Sequence, residues 1–163
     1  MKIKTSLLSL LVVSLVIFGP IKSSSAIAQD KVPFARGAGE FVNTSPFRPG
    51  VYQFSFDAVG NKNGRAHGRA VFDNLTALTH IEIRIECLTV ESGNASITGT
   101  ILDSTDPELP KGTAVAFGAV DDRDEPFLDI ITPAFPAPEP GCGNFLFPLT
   151  FFQISGDAIQ VEP

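Results

Sequence analysis

The sequence predicts an all-β fold: a single antiparallel up-and-down β-barrel of about eight strands, with a β-sandwich as the second choice. Apolar and polar residues alternate along several short segments, and glycine, asparagine and proline separate these segments. After the first 28 residues, no segment shows the 3.6-residue apolar period of an amphipathic helix. A barrel is preferred because its closure removes free strand edges, which promote aggregation in a chain with 14 phenylalanines.

The first 28 residues have the three parts of a secretory signal peptide. Lys2 and Lys4 form a basic start, and residues 7–18 form an apolar run. An Ala-Ile-Ala sequence that ends at Ala28 matches the small-x-small cleavage rule. The apolar run is too short for a membrane-spanning helix. We therefore predict cleavage after Ala28, a secreted or periplasmic location, and no membrane span in the mature chain.

Charge and size limit the partners of the mature protein. Removal of 28 of the 163 residues leaves 135, the usual size of one domain. The removed segment carries three of the twelve basic residues and none of the eighteen acidic ones, so the net charge changes from −6 to −9. Such a surface repels nucleic acid and anionic membranes. We expect no nucleic-acid partner and no cofactor. A cell-envelope partner and an apolar small molecule both stay open.

The remaining chain divides into an extended lead-in at residues 29–50 and a β-barrel-like domain at residues 51–163. The lead-in is rich in Pro, Gly, Ser and Asn, and shows little periodicity apart from a short strand near residues 39–42. Eight strands are predicted in the domain, at residues 51–58, 65–73, 79–90, 95–102, 113–120, 127–132, 145–154 and 158–161. Turns rich in glycine, proline or acidic residues separate them.

The strongest pattern is the hairpin predicted over residues 79–102. Ile81, Ile83 and Ile85 share one strand face, and charged residues occupy the other. Burying unpaired Glu82 and Glu86 would cost several kcal/mol each, so the isoleucine face must be the buried one. The first strand of the domain follows the same rule, with its aromatic residues on the buried face; these are Tyr52, Phe54 and Phe56.

The only two cysteines, Cys87 and Cys142, are predicted to form a disulfide. An exported chain with an even number of cysteines usually pairs them. Two free buried thiols are the alternative. Metal binding or redox activity is disfavoured because the cysteines lie far apart and no Cys-x-x-Cys motif is present.

Several of these segments resemble a group of small exported bacterial proteins of unknown function. The shared features are a Gly-x-Ala-x-Phe strand at residues 68–72, a Cys-Leu-Thr-Val hairpin strand at residues 87–90, a Gly-Asn-Ala turn at residues 93–95, and a closing strand at residues 156–161. The chain departs from that group at Glu86 and in its acidic turn. The resemblance implies a secreted β-domain and no particular activity.

An acidic turn is the candidate metal site, with Asp129 nearby. Its residues are Asp121, Asp122, Asp124 and Glu125. Calcium takes six to eight oxygen ligands, and carboxylates in a turn can supply several. The sequence lacks the Asp-rich loop with a distal Glu that builds an EF-hand. A solvated acidic turn is the alternative reading.

No catalytic set is assembled by the sequence. His67 and His80 are the only histidines, and no Gly-x-Ser-x-Gly motif is present. We therefore predict no catalytic residues. The basic strand faces carry Arg65, His67, Arg69 and Arg84, opposite Glu82 and Glu86. They predict a polar ladder on the outer surface, or a binding patch for an acidic ligand.

The late phenylalanines are predicted mainly to pack in the core, and the alternative is a ligand mouth or partner site formed by Phe135, Phe145, Phe147, Phe151 and Phe152. Phe151 and Phe152 are adjacent, so either a bulge turns both inward or one is exposed.

Three functions remain open from the sequence. The leading hypothesis is a secreted, non-enzymatic β-domain with a structural or binding role at or outside the cell envelope. The alternatives are a small apolar-ligand-binding barrel and a barrel-fold isomerase or cyclase. A solid interior favours the first, and an open interior cavity favours the second. A histidine beside a carboxylate inside such a cavity favours the third.

Overall fold

The computed structural model describes residues 31–121, 129–138, 141–142, 151–154 and 158–163. This part of the chain is all-β, as predicted, and contains no helix; none of it could therefore cross a membrane as an apolar helix. The strands are β1 (Phe34–Asn43), β2 (Gly50–Gly60), β3 (Arg65–Asn74), β4 (Thr79–Glu91), β5 (Asn94–Ser104), β6 (Ala114–Val120), β7 (Ile130–Ile131), β8 (Phe135–Pro136), β9 (Phe152–Gln153) and β10 (Ile159–Glu162).

The strands form one antiparallel up-and-down sheet in the order β10-β1-β2-β3-β4-β5-β6-β7-β9, and β8 also pairs with β6. Strands β1 to β6 are joined in chain order, so we call them the meander. The predicted closed barrel is corrected by this topology. Among the described residues no backbone ladder joins β9 to β10, and the sheet stays open.

The predicted lead-in contributes a full strand. β1 pairs with β2 over ten residues, from Phe34 opposite Val59 to Asn43 opposite Gly50. Glycine at position 37 hides the apolar alternation that would have revealed the strand. A Cβ at Gly37 would lie 2.9 Å from the Phe56 ring and from the Ile159 side chain, so only glycine leaves room for both.

The interior is filled by side chains from the inward face of the curled sheet. Ile83 is fully buried, and Phe54 and Phe56 are 3% and 5% exposed. Aromatic rings pack in series: the Phe41 ring stacks on Tyr52 at 5.0 Å and on Phe152 at 5.5 Å, between ring centroids. Offset or edge-to-face aromatic pairs add roughly 0.5–1.5 kcal/mol beyond their burial. The isoleucine face of the central hairpin points inward as predicted.

The two ends of the sheet meet at a line that we call the seam, where β10 faces the segment around β7 and β9. Two carboxylates there take the place of a backbone ladder. Asp129 Oδ2 accepts hydrogen bonds from the backbone N–H groups of Ala158 at 2.8 Å and Ile159 at 2.6 Å. Asp121 Oδ2 accepts one from the N–H of Val161 at 3.0 Å. These bonds satisfy backbone donors of β10.

The predicted disulfide is confirmed. Cys87 on β4 is bonded to Cys142, with 5.2 Å between their Cα atoms. The neighbouring Gly141 carbonyl accepts a hydrogen bond from the Thr98 hydroxyl at 3.1 Å. The disulfide therefore ties the segment at residues 141–142 to the middle of the meander.

Candidate functional site

A groove on the outside of the sheet is the candidate site, and we call it the outer groove. It has a volume of about 950 Å³ and crosses β10, β1, β2 and β3. Two cross-strand rows of outward side chains build it. The first row has short side chains, those of Ala38, Ser55 and Val71. The second row has longer charged side chains, those of Arg36, Asp57 and Arg69. Because side chains alternate across a strand, each row stands on the solvent face. The short side chains form the floor of the groove, and the longer charged side chains stand beside this floor.

Arg36 is held in a fixed position on this row. Its Nε donates a hydrogen bond to Gln160 Oε1 at 2.9 Å, and its Nη2 donates to the same oxygen. Gln160 stands directly opposite it on β10. The guanidinium carbon also lies 5.3 Å from the centre of the Phe34 ring, within the range of a cation–π contact. Within the described residues, no carboxylate forms an ion pair with Arg36.

Asp57 lies between two arginines, yet it pairs with neither. It stands opposite Arg36 on one side and Arg69 on the other. Arg69 instead pairs with Glu82, with 2.6 Å between Nη1 and Oε1. In the part of the chain that the structure describes, no ion pair neutralises the Asp57 carboxylate. The outer groove therefore presents one cation and one anion side by side, both open to a ligand.

Further carboxylates border the outer groove at its β10 end. Asp121 and Glu162 both line it. The Glu162 carboxylate lies 4.0 Å from the Lys31 ammonium group, and Asp121 is engaged in the seam. These acidic groups make that end repulsive toward multiply charged anions.

The predicted polar ladder on the outer face is present in part. Beside the Arg69–Glu82 pair, Arg84 Nη2 lies 2.7 Å from Glu86 Oε1, and Thr100 donates to Glu86 Oε2 at 3.2 Å. A second concavity of about 490 Å³ lies here, next to the disulfide. Exposed surface pairs of this kind contribute little to stability, typically about 0.2–1 kcal/mol.

The histidines take no catalytic arrangement among the described residues. His80 Nδ1 lies 2.7 Å from Asp73 Oδ1, and both side chains are more than a third exposed on the outer rim. His67 lines the concavity beside the disulfide. Among the described contacts, neither histidine ring is bonded to a serine, threonine or cysteine side chain, as a nucleophile–base pair requires.

The predicted metal and ligand-mouth sites stay predictions. Asp122, Asp124, Glu125, Phe145 and Phe147 lie outside the described residues. Across the described ranges, no group of three or more His, Cys, Asp or Glu residues could hold a metal ion.

The described members of these two sites have separate environments. Asp121 and Asp129 accept hydrogen bonds from β10 at the seam. Phe135 lies half-buried on β8, and Phe152 packs inward on Phe41. Phe151 is 39% exposed, so one member of the adjacent pair faces solvent.

Sequence reasoning missed a buried ion pair at the end of the sheet. Arg48 and Asp106, from two segments predicted as a lead-in and a loop, are in contact with side chains 7% and 6% exposed. Arg48 Nη1 also donates to the Ala134 carbonyl at 3.0 Å. The Arg48 backbone is left-handed, with φ of 52°, and its carbonyl accepts the Tyr52 hydroxyl at 2.9 Å. Burial raises the pKa of that hydroxyl above its ordinary value. All donors and acceptors named here are used within the protein, so the pair ties three segments together.

Comparisons with known proteins do not extend this picture. No protein-family model, no curated protein and no solved structure matches the chain.

Proposed function

We propose that this protein is an exported, non-enzymatic β-domain that acts by binding at or outside the cell envelope, with the outer groove as its binding surface. One observation carries the proposal: stacked aromatic and aliphatic side chains fill the interior, whereas unpaired polar groups face outward. A binding site built on the strands of a packed scaffold holds its side chains more precisely than a site built on loops.

The filled interior favours this function over an apolar-ligand carrier. Small-molecule sites are typically clefts or cavities of about 300–1,000 Å³ lined by apolar side chains. Here Phe56 and Phe72 both pack edge-on against Phe117, at 5.5 Å and 5.2 Å between ring centroids, in the middle of the interior. An isomerase or cyclase would place a histidine beside a carboxylate in such a cavity. The His80–Asp73 pair instead lies on the outer rim.

The signal-like N-terminus supports the proposed export, and so does the disulfide, since disulfides persist mainly in oxidising compartments. We expect the protein purified from its own host to begin at residue 29 and to be found outside the cytoplasm. Intact-mass measurement of the protein in separated cytoplasmic and extracytoplasmic fractions tests both statements, because the fraction reports the location and the mass reports the cleavage site.

A groove-filling variant tests the binding surface. Ala38→Tyr places a ring on the floor of the outer groove at an exposed position, so the fold should tolerate it. The matched control is Val42→Tyr, which lies on the exposed face of the same strand but outside the groove. Native mass spectrometry of protein from the host's medium should show a bound molecule on the native chain and on Val42→Tyr, but not on Ala38→Tyr.

Two results contradict the proposal. One is an adduct that Ala38→Tyr retains, because the ligand would then lie elsewhere. The other is no adduct on any form together with no shift of backbone amide resonances when the host's culture extract is added.

A further inference from the structure

The outer groove also indicates the chemical class of its ligand, an inference that rests on the proposed function. Arg36 carries five N–H donors, and the hydrogen bonds to Gln160 use Nε and Nη2. Both Nη1 donors therefore remain, along with one on Nη2, at the edge of the guanidinium that binds a carboxylate through two parallel hydrogen bonds. Because Gln160 and Phe34 already hold the side chain, binding costs little further ordering.

The surroundings of Arg36 select a singly charged anion. Arg69, the other cation of the row, is paired with Glu82. Asp57, Asp121 and Glu162 add negative charge to the same groove. These carboxylates would repel a phosphate dianion or a nucleic acid strongly. A single carboxylate bound to Arg36 carries less negative charge, so the repulsion is weaker.

The groups next to Arg36 require hydroxyl donors on the ligand. The Asp57 carboxylate can accept hydrogen bonds and stands directly opposite Arg36, on the adjacent strand about 5 Å away. Ser55 can accept or donate, and the Gln160 amide nitrogen can donate. These polar groups lie on three different strands, so they suit a ligand with several separated hydroxyl groups better than one with a single ammonium group. Ala38 and Val71 provide an apolar floor for the C–H face of a sugar ring.

We propose that the outer groove binds a single uronic acid residue that is flanked by neutral sugars in a polysaccharide. Its carboxylate lies on Arg36, and its hydroxyl groups are hydrogen-bonded to Asp57 and Ser55. The groove crosses four strands and is open to solvent, so a polysaccharide chain can continue past the bound residue.

A titration of the disulfide-bonded, isotopically labelled protein with a trisaccharide that carries one galacturonic acid between two neutral sugars tests this assignment. The trisaccharide should shift the amide resonances of β1, β2 and β10 next to the groove. Its methyl ester has the same hydroxyls without the charge, and it should bind about tenfold more weakly or worse, because a hydrogen bond to a charged group is lost.

Variants of equal charge change locate the contact. Arg36→Met should weaken trisaccharide binding about tenfold or more. Arg84→Met removes the same charge from the outer face, outside the outer groove, and should leave the affinity within about twofold. A dispersed amide spectrum shows that each variant is folded, so a loss of binding by unfolding is detected directly.

Three outcomes overturn the ligand class. Equal affinity for the trisaccharide and its methyl ester would remove the role of the carboxylate. Equal shifts with sodium sulfate alone would make the site a general anion site. Shifts with an alanine dipeptide, and none with the trisaccharide, would assign the groove to a zwitterion.

All three outcomes leave the proposed function intact, because the outer groove would still bind a ligand. The proposed function itself fails only by the results given for Ala38→Tyr and for the host's culture extract.

Discussion

The meander and the seam hold their strands together in different ways. From β1 to β6, consecutive strands are joined by long antiparallel backbone ladders, with register shifts only between β3 and β4 and between β4 and β5. At the seam, β10 is bound on one side by a ladder to β1 and on the other by the carboxylates of Asp121 and Asp129. Asp129 also accepts the Ile154 N–H through its own carbonyl at 2.9 Å. One residue therefore holds the ends of three short segments.

The difference shows how a nearly closed sheet can avoid a ladder. Strands that follow one another by tight turns pair locally, at low entropic cost. The late strands are only two to four residues long. Strands this short leave little room for a continuous ladder, so side-chain acceptors satisfy the remaining donors and apolar contacts cover the join. A Cβ at Gly39 on β1 would lie 3.0 Å from the Ile154 side chain, which shows how closely the two sides approach.

Removing the disulfide should give the largest change in stability. Cys87 belongs to the meander, and Cys142 lies 55 residues later. The chain-entropy model gives a loss of about 4 kcal/mol in the free energy of unfolding for a loop of that length. The double variant Cys87→Ala/Cys142→Ala, unfolded in urea beside the native protein, measures it. A loss under about 1 kcal/mol would show that the unfolded chain is already restricted between these residues.

Asp129→Ala should destabilise the seam by about 3 kcal/mol, because two buried N–H groups lose their acceptor. The control is Asp103→Ala, at an exposed position on β5, which should change stability by no more than about 0.5 kcal/mol. Hydrogen exchange separates the two regions. The amides of Ala158 and Ile159 should exchange faster in Asp129→Ala, while those of β2 to β5 stay protected. Equal acceleration in all strands would mean that the seam and the meander unfold as one unit.

The smallest change in stability is expected from substitution of Tyr52 on β2. The folded protein keeps the phenol proton more tightly than the unfolded chain, because burial raises its pKa above 10.0. The stability contributed by this group is therefore complete below pH 10 and is lost as the pH rises further. Tyr52→Phe should remove that alkaline loss and should cost about 1 kcal/mol at neutral pH through the hydrogen bond to Arg48.

This titration has a direct optical readout. The chain has one tyrosine and no tryptophan, so ultraviolet absorbance follows this group alone. Ionisation of the native protein in the ordinary tyrosine range would contradict the predicted burial effect.

The candidate site could be predicted only in part. Arg69, Arg84, Glu82 and Glu86 were recognised as an outer polar face because they alternate with apolar residues on strands of clear period two. The sequence does not connect Arg36 with Asp57, because its pattern predicts an extended lead-in where the structure has β1. Gly37 and Gly39 replace the apolar residues that would mark the strand, and they are required because Phe54, Phe56 and Ile154 occupy the space.

The sequence by itself determined the strand character of the chain, the inward isoleucine face and the pairing of the only two cysteines. Each follows from a local pattern or from a count, and none of the three needs knowledge of distant contacts. Only the tertiary structure decided that the sheet stays open and that Asp129 binds β10. It also decided that Arg48 meets Asp106 across 58 positions. Such contacts depend on how far the sheet curls and on which short segments reach its edges. The periodicity of the sequence predicts neither.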